Sequence, residues 1–338
     1  MRLAIIGAQH NHVLGIARSA IQQPDVELIA VAEAEASVRD EVAAEFGIRA
    51  LADYRELLEG PEIDAALLAP INNQKAAVAT DCLVAGVHVL VDKPAVTDFE
   101  GLERIEAAEK AGNAVLFCAL TQRFNPAYVL AKRAIDEGEI GAVVNSMAQS
   151  PHKLGMLRRP DWFFSREQNG GVIVDLAIHA IDVIRWFHGS EPVAVSAGHG
   201  TARFTQYPDF TDHCELLLQL ENGTAGFVKG SWLTPDEARW HGDYRHFVEG
   251  TEGFIEIRGS AEELLTINSR GQARTLTDFT RGDQINPAEV QGTLIGDFLA
   301  AIAGKQGSAL SARDVIESHR WALLARQAAD SGELVRRG

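Results

Sequence analysis

Five short runs of branched and aliphatic residues recur through the first 120 positions, and longer alanine- and glutamate-rich amphipathic stretches separate most of them. That rhythm constrains the fold more than any single residue does, because strands joined by helical crossovers lie parallel in one sheet. Strands are expected at Leu3–Gly7, Glu27–Ala32, Ala65–Ala69, His88–Val91 and Ala114–Cys118. Helices are expected at Ala17–Gln22, Ser37–Phe46, Gln74–Ala85 and Asp98–Ala111, with Gly86 and Gly112 suited to closing the last two. The first half therefore reads as a doubly wound α/β unit.

After Gly141 the texture changes. Val143–Gln149, Val193–Arg203, Glu215–Leu220, Gly226–Trp232 and Phe254–Arg258 look like strands, most of them without intervening helices, and Asn222-Gly223 is a hairpin signal. A large, mostly antiparallel open sheet is implied, with helices at about Val172–Phe187, Ala288–Ala303 and Ala312–Ala329. A chain of 338 residues is long enough for more than one core. The expected division is 1–120, 121–287, and a pair of closing helices, 288–338, that pack back toward the first domain. A net charge of −16 repels nucleic acid and anionic membranes, and no apolar run approaches the length of a membrane span. Cys82, Cys118 and Cys214 are odd in number and scattered, which fits a reducing cytoplasm better than a disulfide framework.

The turn after the first strand, Gly7-Ala8-Gln9-His10-Asn11-His12, sits where a G-x-G-x-x-G dinucleotide loop belongs. Only Gly7 is kept; Gln9 and His12 hold the other two glycine places. Anion binding there depends on backbone N–H groups and the helix dipole, so the loop remains a candidate pyrophosphate site. Glu33, 21 positions after His12 at the end of the second strand, is placed to accept the ribose hydroxyls and to repel a 2′-phosphate, which favours NAD over NADP. No metal is expected: His10 and His12 would need further ligands that the sequence does not put nearby.

Two further motifs carry chemistry. Val91-Asp92-Lys93-Pro94 ends the fourth expected strand, and Gly170-Gly171-Val172-Ile173-Val174-Asp175-Leu176-Ala177-Ile178-His179 opens the helix of the second half. With Gln122-Arg123-Phe124-Asn125-Pro126, Gly138-Glu139-Ile140-Gly141 and Gly250-Thr251-Glu252-Gly253 in this order, nearly the whole chain resembles the family of glucose-fructose oxidoreductase, inositol dehydrogenase and MocA. The resemblance implies a Rossmann domain followed by an α/β domain whose open sheet makes oligomer contacts, a dimer or tetramer. Its usual E-K-P is D-K-P here, and its histidine four residues after Pro70 is Gln74. The nucleotide-side candidates are the loop residues Gly7, Gln9, His10, Asn11 and His12, then Glu33, Pro70, Asn72, Asp92, Lys93 and Arg123.

For hydride transfer from an alcohol, a base must take the hydroxyl proton, and imidazole titrates near working pH. His179 is that candidate; Asp175, four residues earlier on the same helical stripe as Asp182, orients the ring or holds a neighbouring hydroxyl, and Lys93 stabilises the reacting oxygen. Substrate contacts are expected from His152, Lys153, Arg158, Asp161 and Trp162, a donor-rich set that suits a sugar, cyclitol or sugar acid. The leading expectation is an NAD-dependent dehydrogenase acting on a secondary alcohol. An NAD-dependent glycoside hydrolase working by transient oxidation, and a non-catalytic ligand-binding relative with weakened cofactor affinity, are the alternatives.

Overall fold

Six parallel strands form the first sheet of the computed structural model: β1 (Arg2–Ala8), β2 (Glu27–Ala32), β3 (Arg49–Leu51), β4 (Ala65–Ala69), β5 (His88–Val91) and β6 (Leu116–Cys118). Their order is β3-β2-β1-β4-β5-β6, the doubly wound arrangement with its switch point beside β1. Every residue of β4 is buried, as expected for a central strand covered on both faces. The structure describes residues 1–60, 62–156, 159–259, 264–277, 293–305 and 308–337. The chain divides into two units: Met1–Leu120 with Glu167–Gly170 and Gly292–His319, and Thr121–Arg166 with Gly171–Gln291 and Arg320–Gly338.

Between Met1 and Leu120 the helices are α1 (His12–Ala20), α2 (Ala36–Phe46), α3 (Arg55–Leu58), α4 (Lys75–Val84) and α5 (Phe99–Ala111). Asp98 caps α5 by accepting from the Gly101 N–H at 2.7 Å. The helix expected from Ala17 in fact begins at His12, so the altered glycine loop is shorter than its sequence suggests.

The second unit contains α6 (Pro126–Asp136), α7 (Arg166–Asn169, which passes into the first unit at Glu167) and α8 (Ile178–His188). Its nine-stranded sheet comprises β7 (Val143–Lys153), β8 (Pro192–Gly200), β9 (His213–Leu220), β10 (Ala225–Thr234), β11 (Arg245–Gly250), β12 (Gly253–Arg258), β13 (Leu264–Ser269), β14 (Gln272–Thr277) and β15 (Val335–Arg336). The order is β14-β13-β12-β11-β7-β10-β9-β8-β15, antiparallel except for the β7–β10 pair. Asn222-Gly223 makes the β9–β10 hairpin, with Gly223 at φ +83°. The Gly138–Gly141 and Gly250–Gly253 motifs dock on each other: Thr251 and Glu252 donate N–H bonds to the Ala142 and Ile140 carbonyls, each 2.9 Å. A Cβ on Gly250 would lie 2.1 Å from the Ile140 carbonyl oxygen.

Alternation along these strands separates two faces. Val248, Ile255, Ile257, Leu265 and Ile267 pack against Tyr128, Ala131, Val183 and Phe187 of α6 and α8. His246 lies fully buried beside that cluster, its ring 5.9 Å from Tyr128 and 5.3 Å from Phe187, and neither ring nitrogen has a hydrogen-bond partner among the described residues. On the other face Phe227 stands opposite Met147 and Leu217, and all three are exposed. The chain also has α9 (Leu294–Ile302), in the first unit, and α10 (Ala312–Ser331), assigned to the first unit as far as His319 and to the second from Arg320. The expected start of the first closing helix, Ala288, and the 287/288 boundary lie outside the described residues. Among the described residues no helix is long and apolar enough to cross a membrane.

Candidate active site

In the first unit, the loop after β1 and the turns after β2, β4 and β5 meet at the carboxyl ends of the strands. Gly7 has φ +72°, and a Cβ there would lie 2.3 Å from the Pro70 nitrogen, so only glycine lets the β1 and β4 turns approach. The Gln9 N–H donates to the Ala69 carbonyl at 2.9 Å. Glu33 is buried and accepts from the Ala8 N–H at 2.8 Å, the Glu35 N–H at 2.9 Å and Gln9 Nε2 at 3.1 Å. The side chain that replaces a loop glycine thus reaches back to the acid at the end of β2. Asn11 is exposed and precedes α1 without a side-chain cap bond, while buried Asn72 donates to the Asn169 carbonyl at 3.0 Å. These residues fit a dinucleotide: a tight first turn, a helix N-terminus without a side-chain cap, and a fixed carboxylate one strand away.

Asp92 is fully enclosed. His10 Nδ1 lies 3.2 Å from one of its oxygens, His12 Nδ1 3.2 Å from the other, and the Lys75 ammonium 3.7 Å away. Burial by itself would raise the Asp92 carboxyl, but the buried Lys75 ammonium and the interactions with His10 and His12 outweigh it and hold the group well below the usual carboxylate range. Burial drives His10 the other way, down to about 4 against the pull of Asp92, so this ring is neutral at pH 7. Lys75, wholly buried at the start of α4, also donates to the Lys93 carbonyl at 3.2 Å. Nothing in the sequence singled out Lys75; an amine at a helix start ordinarily points to solvent. The Lys93 side chain is buried, and the Lys93–Pro94 peptide is cis.

The second unit carries Asp175 and His179. The helix expected over Val172–Phe187 opens with a π-helical turn, Ile173–Ala177, before α8 begins; such turns often mark functional positions. Asp175 is buried within that turn and His179 is half-buried at the start of α8. Asp182, expected on the same polar stripe, is held instead by Arg123, with Nε–Oδ2 and Nη2–Oδ1 distances of 2.7 and 2.8 Å. Both groups are buried, and Arg123 lies over the Trp186 ring. Arg123, named above on the nucleotide side, is thus engaged in an ion pair within the second unit.

His152 packs edge-on against Trp232, His241 and Tyr244, with ring centroids 5.2, 5.0 and 4.8 Å away. Lys153 Nζ donates to the Ala238 carbonyl, and Trp162 is buried while Asp161 is exposed. Arg158 lies outside the described residues. Its neighbour Arg159, which the sequence reading passed over, has its guanidinium 4.2 Å from the Phe163 ring centroid and 5.3 Å from that of Trp232. Burial lowers the Arg159 pKa while the Asp175 carboxylate opposes the shift, so the two charges act on each other. The aromatic run Trp162-Phe163-Phe164 was the available signal for such a cation.

Residues 1–119 match the family described as "Oxidoreductase family, NAD-binding Rossmann fold", and residues 128–256 match the "GFO/IDH/MocA C-terminal domain". The scyllo-inositol 2-dehydrogenase (NAD(+)) of Bacillus subtilis is 31% identical over 73% of this chain and 70% of its own. The myo-inositol 2-dehydrogenase of Thermotoga maritima is 25% identical over 84% of this chain and 80% of its own. A levoglucosan dehydrogenase solved with NADH shares the fold, with a TM-score of 0.84 at 22% identity over 99% of this chain and 98% of that one. With the two matches set end to end along one chain and a relative above 30% identity, this protein belongs to the GFO/IDH/MocA family of oxidoreductases, and its N-terminal part is that family's NAD-binding Rossmann domain.

Proposed function

We propose that this protein oxidises a secondary hydroxyl of a cyclitol or sugar, with NAD as the hydride acceptor. The observation that carries the reading is buried Asp175 set in a π turn immediately ahead of half-buried His179. A carboxylate placed there orients an imidazole or a neighbouring substrate hydroxyl, and the imidazole takes the proton from the reacting hydroxyl. Lys93 donates a hydrogen bond to the reacting oxygen and stabilises the negative charge that develops on it. When bound, the nicotinamide supplies the hydride-accepting carbon. On this reading residues 1–120 hold the dinucleotide, through the Gly7–His12 loop, Glu33, Pro70 and Asn72, and residues 121–287 hold the polyol. His152, Lys153, Trp162 and Arg159 supply its contacts. The names of the relatives, inositol and levoglucosan dehydrogenases, support this substrate class.

Absorbance at 340 nm with a panel of inositols and sugars tests the proposal. NADH accumulating in step with product supports a dehydrogenase; product without net NADH supports the hydrolase instead. Lys93→Ala and His179→Ala should each lower turnover by roughly 10²- to 10⁴-fold while leaving NAD affinity little changed. Near-normal turnover in either variant removes that residue from the chemistry. The exposed apolar face of the second sheet supports a homo-oligomer, and the acidic charge with three buried free cysteines supports a cytoplasmic location.

A further inference from the structure

The dinucleotide reading accounts for Gly7 and Glu33 but not for the two histidines that stand in the altered glycine loop. Neither imidazole is needed to bind a pyrophosphate, which the backbone N–H groups and the helix dipole already attract. The fold supplies what the sequence lacked: Asp92, eighty positions beyond His12, is carried to the same place by β5, with β4 between it and β1. One ligand atom from each of His10, His12 and Asp92 lies within 4.8 Å of the others.

We propose that His10, His12 and Asp92 form a binding site for one divalent transition-metal ion, held through a ring nitrogen of each histidine and a carboxylate oxygen. Two imidazoles and a carboxylate are a donor set that suits zinc, cobalt or nickel rather than magnesium or calcium. A tetrahedral ion with bonds of about 2.05 Å sets its ligand atoms roughly 3.3 Å apart; His12 Nδ1 stands 3.2 Å from Asp92 Oδ1, while the 3.2 Å contact of His10 Nδ1 is to the other oxygen, Oδ2, so its ring must shift to share Oδ1. Three protein ligands leave a position for an oxygen of water or phosphate. The His12 side chain is 56% exposed, which gives an ion a way in, whereas Asp92 is enclosed. The Lys75 ammonium, 3.7 Å from Asp92 Oδ2, opposes a second cation and favours coordination through Oδ1. The site is therefore of moderate affinity, not a structural centre on which folding depends.

The test is titration of chelator-treated full-length protein with Co²⁺ in the absence of nucleotide, read by the visible absorption of the bound ion, with Zn²⁺ displacement as a second readout. A saturable 1:1 complex is expected. His12→Ala, at an exposed side chain, and Asp92→Asn should each weaken it at least about tenfold, since even an outer-shell partner of a metal ligand brings that loss. His213→Ala, at a separate histidine–aspartate contact, should leave it unchanged. Unsaturable binding, binding equal in wild type and His12→Ala, or loss in His213→Ala instead would overturn the proposal and leave the three residues as a hydrogen-bonded clamp on the β5 turn. Because no turnover is measured, failure here leaves the dehydrogenase reading intact, and failure of that reading leaves this one.

Discussion

Acidification from pH 7 to pH 5 should destabilise the second unit through its buried histidines. Burial, with a smaller push from His188, lowers His246 to about 3, and burial lowers His188 to about 4. An unfolded chain binds these protons near pH 6.5, so each neutral ring contributes stability that is complete above that pH. The contribution falls as pH drops below 6.5, until the folded value is reached. At pH 5, 1.5 units below the unfolded value, the loss is about 2 kcal/mol for each histidine. Asp212, whose carboxyl is held below its ordinary value, has a dependence of the same sign but loses its contribution only below about pH 4, outside this window. All five tryptophans belong to the second unit, so their fluorescence follows that unit during urea unfolding. His246→Phe, a ring among rings, should lose about 2 kcal/mol less than wild type between pH 7 and pH 5. Equal losses in the two proteins would refute the claim that His246 is buried neutral.

Three other outcomes follow from the same structure. Gly7→Ala should cost about 3 kcal/mol or more, or prevent folding, because it combines a positive φ with a Cβ driven into Pro70; thermal denaturation measures it. NAD should bind more tightly than NADP by on the order of 1–3 kcal/mol, from like-charge contact of Glu33 with a 2′-phosphate, and Glu33→Gln should narrow the gap in calorimetric titration. Phe227→Glu, at the centre of the exposed apolar face, should shift any oligomer to monomer in light scattering without changing the fold.

The first sheet was legible because its central strands are apolar beyond their first residues: Glu27–Ala32, Ala65–Ala69 and His88–Val91 match their expected limits. β3 was not, since three residues, two of them exposed, carry too little pattern. α6 was missed despite the Asn125-Pro126 start, where the Asn125 side chain caps Ala127 at 2.9 Å. β11, β13 and β14 went unread because polar residues such as His246, Thr266 and Arg274 break up their short apolar runs. At the site, local patterns identified Glu33, Lys93, Asp175 and His179 as candidates. The partners that only tertiary structure assembles were out of reach: Lys75 beside Asp92, and Arg123 on Asp182 across 59 residues. A helical period drawn through Asp175, His179 and Asp182 also could not reveal the π turn that interrupts it.

The first unit is closed by chain made long after its sheet. His319 accepts the Ala95 N–H at 2.7 Å, and Phe298 lies against Phe117 with ring centroids 5.7 Å apart, so residues near the carboxyl end finish a core begun at residue 1. Between Leu120 and Gly292, roughly 170 residues must leave the ribosome, which takes on the order of ten to thirty seconds. Throughout that interval the apolar surface around Ala95 and Phe117 has no cover from its own chain. An isolated 1–120 fragment should therefore be less soluble than one to which residues 293–319 are supplied in trans.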